Sequence, residues 1–429
     1  MSSIGVRVAL FSAYFLFAIL LNSVGTVILQ SIASFGVSKE GASILEAFKD
    51  LPIAAVSFLV ASFLPRLGYR RAMIIGFAAV GAACLVMPIA PSFAMTKILF
   101  FTVGASFALI KVSVYSTIGL LTTDSNRHAS LLNTIEGFFM IGVLSGYWVF
   151  AAFIDPANAA SLSWLNAYWV LAVVAAANVV LLLVVDFPPA VVSKNGKGLA
   201  GEFTAMIALL WKPAVLVFVI SAFLYVLIEQ GIGTWLPTFN NEVLHLPHSM
   251  SVQATSIFAA ALAVGRLSAG VVLRRLDWYW LLNVCVVAMG VLIVLTLPLA
   301  RAIEPQANLT WATAPLAAFI LPLIGLFMAP IYPAINSVIL SSLPRERHAA
   351  MAGLIVVFSA LGGTTGSFIT GQTFARFGGG TAFYLLLAPM VLILISLFAL
   401  KRLTARNSQS IHEGAIEAAA GGKPTEAAT

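Results

Sequence analysis

The sequence predicts an all-α integral membrane protein of twelve transmembrane helices, built as two six-helix parallel repeats. Three observations carry that expectation. Of 429 residues, 61% are hydrophobic and only 9% charged, against roughly a quarter charged in an ordinary soluble domain. Windows of about twenty mostly apolar residues, the length that crosses a bilayer as a helix, recur twelve times between Val8 and Leu400. The stretch "RHASLLNTIEGFFMIGVLSG" (127–146) returns as "RHAAMAGLIVVFSALGGTTG" (347–366), with Arg-His-Ala, a phenylalanine and two glycines in step.

In chain order, the first span (near 7–33) follows Arg7 and is too long for a secretory signal. Within it Asn22, Thr26 and Gln30 fall on one face as a polar stripe. Span two (42–64) opens with Glu46, Lys49 and Asp50, at spacings that pair along a helix. Span three (72–90) is apolar, and span four (95–121) puts Lys111 and Tyr115 on one face. Span five (129–154) carries Glu136 where its repeat has Val356, and span six (164–186) ends the first half, 1–186. The longest loop, 187–212, contains "FPPAVVSKNGKGLAGEF" and divides the spans six and six.

The second half, 213–402, begins with span seven (213–238), where Tyr225, Glu229 and Gln230 precede Gly231, Gly233, Trp235 and Pro237. Those glycines and the proline loosen a helix and leave backbone groups free where they line a cavity. Span eight (250–273) carries Arg266, span nine (279–300) is apolar, and span ten (311–342) sets Tyr332 and Asn336 on one face. Spans eleven (349–375) and twelve (381–401) complete the set, and 403–429 is expected to be a disordered tail, small and polar from Asn407 onward. Gly142 with Gly146, and Gly362 with Gly366, read as close-packing surfaces at the interface that moves between the halves.

Six spans per half relate the repeats by an axis along the membrane normal. The net charge of +7 is a topology signal and not a nucleic-acid one. Lys39, Lys97, Arg301 and Arg376 lie on one side, Lys49, Lys111 and Arg266 within spans, and every other Lys and Arg on the side of the two termini. By the positive-inside rule both termini are cytoplasmic, in a cell inner (plasma) membrane. Cys84 and Cys285 sit inside spans, so no disulfide framework is indicated. No phosphate loop, Gly-x-Ser-x-Gly or His-Glu-x-x-His occurs. ATP is therefore not the expected energy source, an enzyme is not expected, and no metal or cofactor is called for.

The loops after the second span of each half, "ASFLPRLGYRR" (61–71) and "GVVLRRLDWYW" (270–280), match each other and resemble the loop signature of the major facilitator superfamily, Gly-x-x-x-Asp-Arg-x-Gly-Arg-Arg. Arg66, Gly68 and Arg70 fit it; Ala61, Pro65 and Tyr69 depart from it, and Arg274 stands where the second copy would carry its acid. "FMAPIYPAINSV" (327–338) and "EQGIGTWLPTF" (229–239) are similar to the tenth and seventh helices of fucose-permease-like sugar:proton symporters. The resemblance implies that helices one, four, seven and ten line a central cavity reached alternately from each side. On that implication Asn22, Thr26, Gln30, Lys111, Tyr115, Tyr225, Gln230, Trp235, Tyr332 and Asn336 are candidate solute contacts. Taken singly, the stripe residues are more often helix-packing groups than ligand contacts, and Trp235 is as readily an interfacial anchor.

Ionisable groups inside spans are the informative ones, because each costs about 2.5–3.5 kcal/mol at a helix centre unless paired or wetted. Lys111 and Glu136 lie at similar depth on consecutive spans and are expected to pair, structurally or as part of coupling; Val356 then needs no charge because span ten has none. Glu46 and Lys49 are expected to form a gate-side surface pair, with Asp50 deeper. Arg266 is expected to make a structural helix contact. Glu229 has no evident basic partner on span eight and is the leading proton-coupling candidate, with Glu136 and Asp50 next. The expectation is a monomeric, lipid-embedded secondary transporter that imports a small polar solute, a sugar or sugar derivative, with a proton or alternatively sodium. The rival reading is a proton-coupled exporter of amphipathic organic cations or drugs, with the acids as counter-charges.

Overall fold

The computed structural model describes residues 3–122, 125–187, 199–301, 303, 309–343 and 347–420, and its regular structure is helical. Among the described residues eleven helical stretches are long and apolar enough to cross a membrane. The remaining span is the second, Leu45–Leu67, whose first turns carry Glu46, Lys49 and Asp50. Together they make the expected twelve.

Elements start and stop where local chemistry dictates. Ser92 caps span four (Phe93–Leu121) by accepting from the Met95 amide at 3.1 Å. Gly36, at φ 63°, ends span one in the left-handed region that glycine enters without strain. Span ten runs as short pieces, Ala317–Ile320, Leu321–Leu323, Ile324–Met328 and Ile331–Ser341, with Pro322 and Pro330 at the joints. Within the loop signature, Arg70 donates to the carbonyls of Leu182 and Leu183 at the end of span six, a cation placed where helix carbonyls run out of partners. The side chains of Ala61, Pro65 and Arg66 lie outside the described residues.

The two halves repeat in packing as well as in sequence. A Cβ on Gly142 would meet the Phe15 carbonyl, and Gly146 lies against Ile19, so span five (Ser125–Phe153) presses onto span one. A Cβ on Gly362 or Gly366 would meet the carbonyls of Phe223 and Leu227, so span eleven (His348–Phe377) presses onto span seven in the same way. This corrects the expectation that these glycines form the moving interface: they close each half internally. Gly363 and Gly371 of span eleven face the other half instead, at Asp50 and Ser43.

Two further expectations change. The central segment 187–212 contains a helix, Leu199–Leu210, whose Met206 and Leu209 are buried, and Met206 reaches Gly353; 188–198 lie outside the described residues. The last helix continues from Leu387 to Ala420, well into the expected disordered tail. Its Ala- and Glu-containing end, "EGAIEAAA", favours helix by propensity. Residues 421–429 lie outside the described residues.

Candidate functional site

Spans one and seven, the first of each half, are both broken. Span one is two helices, Ser3–Asn22 and Val24–Phe35, and not the single run expected. At the break Asn22 Nδ2 donates to the Ala18 carbonyl at 2.9 Å and Ser23 Oγ to the Leu20 carbonyl at 2.8 Å, side-chain bonds that compete with the helical ladder. Span seven is Pro213–Gly233 followed by Leu236–Glu242, loosened where Gly231, Gly233 and Pro237 led us to expect. The breaks meet: a Cβ on Gly25 would run into the Thr234 carbonyl.

Beside that crossing lies a cavity of about 160 Å³, lined by groups that include Asn22, Glu46, Lys49, Tyr147, Glu229, Gln230 and Thr234, with Phe258 and Leu262 on its apolar side. That volume is enough to admit one six-membered ring, since an apolar cavity of ~150 Å³ takes benzene. Spans one, two and five supply one wall and spans seven and eight the other, so the cavity lies between the halves.

Glu46 and Lys49 are not a surface pair. Both are buried, and Glu46 is fully so. The Lys49 ammonium pairs with Glu46 and lies 3.4 Å from both Asp50 Oδ1 and the Leu21 carbonyl. Glu46 also accepts from Gln230 Nε2 at 2.7 Å and from Thr234 Oγ1 at 3.1 Å, across the boundary between halves. The burial comes from the break in span seven, which lays Gln230 and Thr234 against the start of span two. No pattern local to residues 42–64 announces it.

Glu229 is not the unpaired acid. Arg266 of span eight (His248–Val272) faces it, Nη2 to Oε1 at 4.0 Å, and Tyr225 donates to the same oxygen at 3.3 Å. Tyr225 in turn stacks on Tyr332, ring centroids 5.4 Å apart, and Tyr332 shares a 2.8 Å hydrogen bond with Ser359. The remaining contact of Arg266 is weak, Nη1 to the Met140 sulfur at 3.4 Å.

The expected direct pair of Lys111 and Glu136 is replaced by a bridged arrangement. Glu136 accepts from Tyr115 at 2.9 Å. Lys111 lies over the rings of Phe107 and Tyr115, 5.9 Å from each centroid, and makes no hydrogen bond or ion pair among the described residues. The other candidates fall outside the cavity lining. Thr26 is buried, and Gln30 contacts His248 at 3.2 Å. Trp235 is fully buried and donates to the Ser367 carbonyl at 2.9 Å, so it is neither an interfacial anchor nor free to stack on a ligand. Asn336 is half-buried on span ten. The sequence reading missed Thr234 and Tyr147 as lining groups; only the break in span seven and the face shared by Met140, Val143 and Tyr147 signal them. Among the described residues no cluster of His, Cys, Asp and Glu is arranged to hold a metal ion.

Contacts between the halves gather on the side away from the termini. Lys39 pairs with Glu242 at 2.7 Å, Gln30 meets His248, and Glu46 holds Gln230 and Thr234. Towards the terminus side Tyr115 is 37% exposed and the Arg266 side chain 42%. The contacts between the halves close the site on the side away from the termini, while Tyr115 and Arg266 are accessible towards the terminus side.

Comparison with known proteins agrees with this architecture. The sequence profile of the Major Facilitator Superfamily matches residues 10–366. No curated protein matches the chain by sequence. Among solved structures, the nucleoside transporter NupG is 15% identical with a TM-score of 0.70, covering 92% of this chain and 98% of its own. A D-xylose-proton symporter is 14% identical with a TM-score of 0.68, covering 92% and 96%. The transporter FucP in its outward conformation is 15% identical with a TM-score of 0.59, covering 92% and 98%. At these identities the likeness speaks for the fold, while the profile spans most of the sequence: the chain belongs to the Major Facilitator Superfamily.

Proposed function

We propose that this transporter carries a small polar solute, a sugar or sugar derivative, inward across a cell membrane together with a proton, by rocking its two halves around the cavity. One observation carries the reading: a ring-sized cavity between the halves is walled by amide, hydroxyl and carboxylate groups and closed on the side away from the termini. Such groups supply the many hydrogen bonds a polyhydroxylated solute needs when it leaves water.

Glu229 is the coupling residue in this reading. It sits on the cavity wall at the break in span seven, with Arg266 and Tyr225 of the same half as its partners. Asp50, paired with Lys49, and Glu136, held by Tyr115, are the secondary sites. The solved neighbours named for nucleoside, xylose-proton and fucose:proton transport are consistent with this class. Lys111 and Arg266 beside the site weigh against a carrier of organic cations.

The test is uptake into liposomes holding the purified protein, with radiolabelled xylose, fucose, glucose, glucuronate and uridine, with and without an imposed pH gradient. Accumulation of one of them that collapses with the gradient is expected. Accumulation that follows a sodium gradient instead would overturn proton coupling.

A further inference from the structure

Two cations near the site have no strong anionic partner among the described residues. Arg266 has five N–H donors in a fixed fork, yet among the described residues its polar contacts are one carboxylate oxygen at 4.0 Å and one thioether. Lys111 has three donors, two aromatic rings beneath it and the Glu136 carboxylate near it but beyond ion-pair distance. Both lie well inside spans, where an unpaired cation is expensive. They approach from opposite halves, Lys111 from span four and Arg266 from span eight.

Span five joins the two. Glu136, Met140, Val143 and Tyr147 recur at helical spacing and share one face. Val143 and Tyr147 line the cavity, Met140 touches Arg266, and Glu136 is held by the Tyr115 that lies under Lys111. Arg266 therefore stands beside the Glu229 wall of the cavity and Lys111 is joined to it through Tyr115, Glu136 and span five, while Asn22, Gln230, Thr234 and the paired Glu46 and Lys49 line the cavity itself.

We infer that the solute is a hydroxylated carboxylate, such as a sugar acid, whose anionic group is taken by Arg266 with Lys111 as the second cation while its hydroxyls enter the cavity. This deepens the proposed function and rests on it. The guanidinium fork suits a carboxylate, which it can hold by two parallel hydrogen bonds. The single marginal contact to Glu229 leaves that capacity unused.

The same geometry ties binding to coupling. Glu229 faces Tyr225 on its own span, Arg266 on span eight, Tyr332 on span ten and, farther off, Lys49, Glu46 and Asp50 on span two. Arg266 is the nearest cation. When a solute carboxylate takes Arg266, Glu229 loses that counter-charge and takes up a proton. One monoanion and one proton then cross together, with no net charge moved.

The experiment compares matched pairs on the purified full-length protein: D-glucose with D-glucuronate and D-galactose with D-galacturonate, read as ligand-dependent shifts of the unfolding midpoint and converted to Kd. The acids are expected to stabilise the protein at concentrations where the hexoses do not. Arg266→Gln and Lys111→Met are each expected to weaken acid binding at least about tenfold, the loss of one charge-assisted contact. Arg266→Lys should retain part of it, and Lys97→Met, a cation on the far side, should leave it unchanged. The wild-type comparison stands even if a variant fails to fold. Equal or tighter binding of the hexoses overturns the carboxylate inference but leaves the transporter reading intact. Absence of binding by both classes also overturns the inference. The proton-coupling reading is judged separately, by whether any solute accumulates under a pH gradient.

Discussion

Arg266 Nη2 stands 4.0 Å from Glu229 Oε1 across the gap between spans eight and seven, both side chains partly exposed at 42% and 23%. With both side chains partly accessible, the attraction should be screened and its worth that of a surface pair. A double-mutant cycle of Arg266→Gln and Glu229→Gln, read by thermal unfolding, should give a coupling of about 0.5–1 kcal/mol. A coupling above about 3 kcal/mol would mean that the pair is sealed from solvent.

Glu46 behaves differently because it is fully buried and accepts from Lys49, Gln230 and Thr234 at once. Glu46→Ala strips three donors of their acceptor and leaves the Lys49 ammonium with Asp50 at 3.4 Å. The expected loss is about 3–5 kcal/mol of stability, much of it recovered by Glu46→Gln with Lys49→Met. A Glu46→Ala protein as stable as wild type contradicts the network.

Tyr115, and not Lys111, holds Glu136. In cycles read by unfolding, Tyr115→Phe and Glu136→Gln should be coupled by about 1.5–3 kcal/mol, the range of a charged hydrogen bond. Lys111→Met and Glu136→Gln, which share Tyr115 as a partner, should be coupled more weakly, by less than about 1.5 kcal/mol. The reverse ranking would restore a direct Lys111–Glu136 pair.

On the far side, Lys39 and Glu242 pair across the halves at 2.7 Å while partly exposed. Lys39→Ala should therefore change stability by less than about 1 kcal/mol. Lys39→Cys with Glu242→Cys, joined by a short bifunctional thiol reagent, should stop transport by locking this side shut, and a reducible linker should restore it on cleavage. Unimpaired transport in the cross-linked protein would show that these ends do not separate.

The fold was legible because its signals are periodic and redundant. Twelve apolar runs, the repeat of 127–146 in 347–366 and the glycines at 142, 146, 362 and 366 all point the same way. Depth along the chain was also legible, and it placed Glu229 and Gln230 correctly near the break in span seven. Partners across spans were not. Sequence distance carries no angular information about two helices, so the facing of Arg266 and Glu229 and the burial of Glu46 against Gln230 stayed hidden. The split of span one at Ser23 was hidden too, because Asn22 read equally well as a member of a polar stripe with Thr26 and Gln30.

The central claim is that Glu229 carries the driving proton, and its most direct test is Glu229→Gln in liposomes loaded and bathed with the transported solute. Glutamine holds the site in its neutral form, so the loaded carrier can cross but the empty one cannot return by releasing a proton. The account predicts that accumulation under a pH gradient disappears while exchange of labelled for unlabelled solute persists. A variant that still concentrates its solute under that gradient would contradict it.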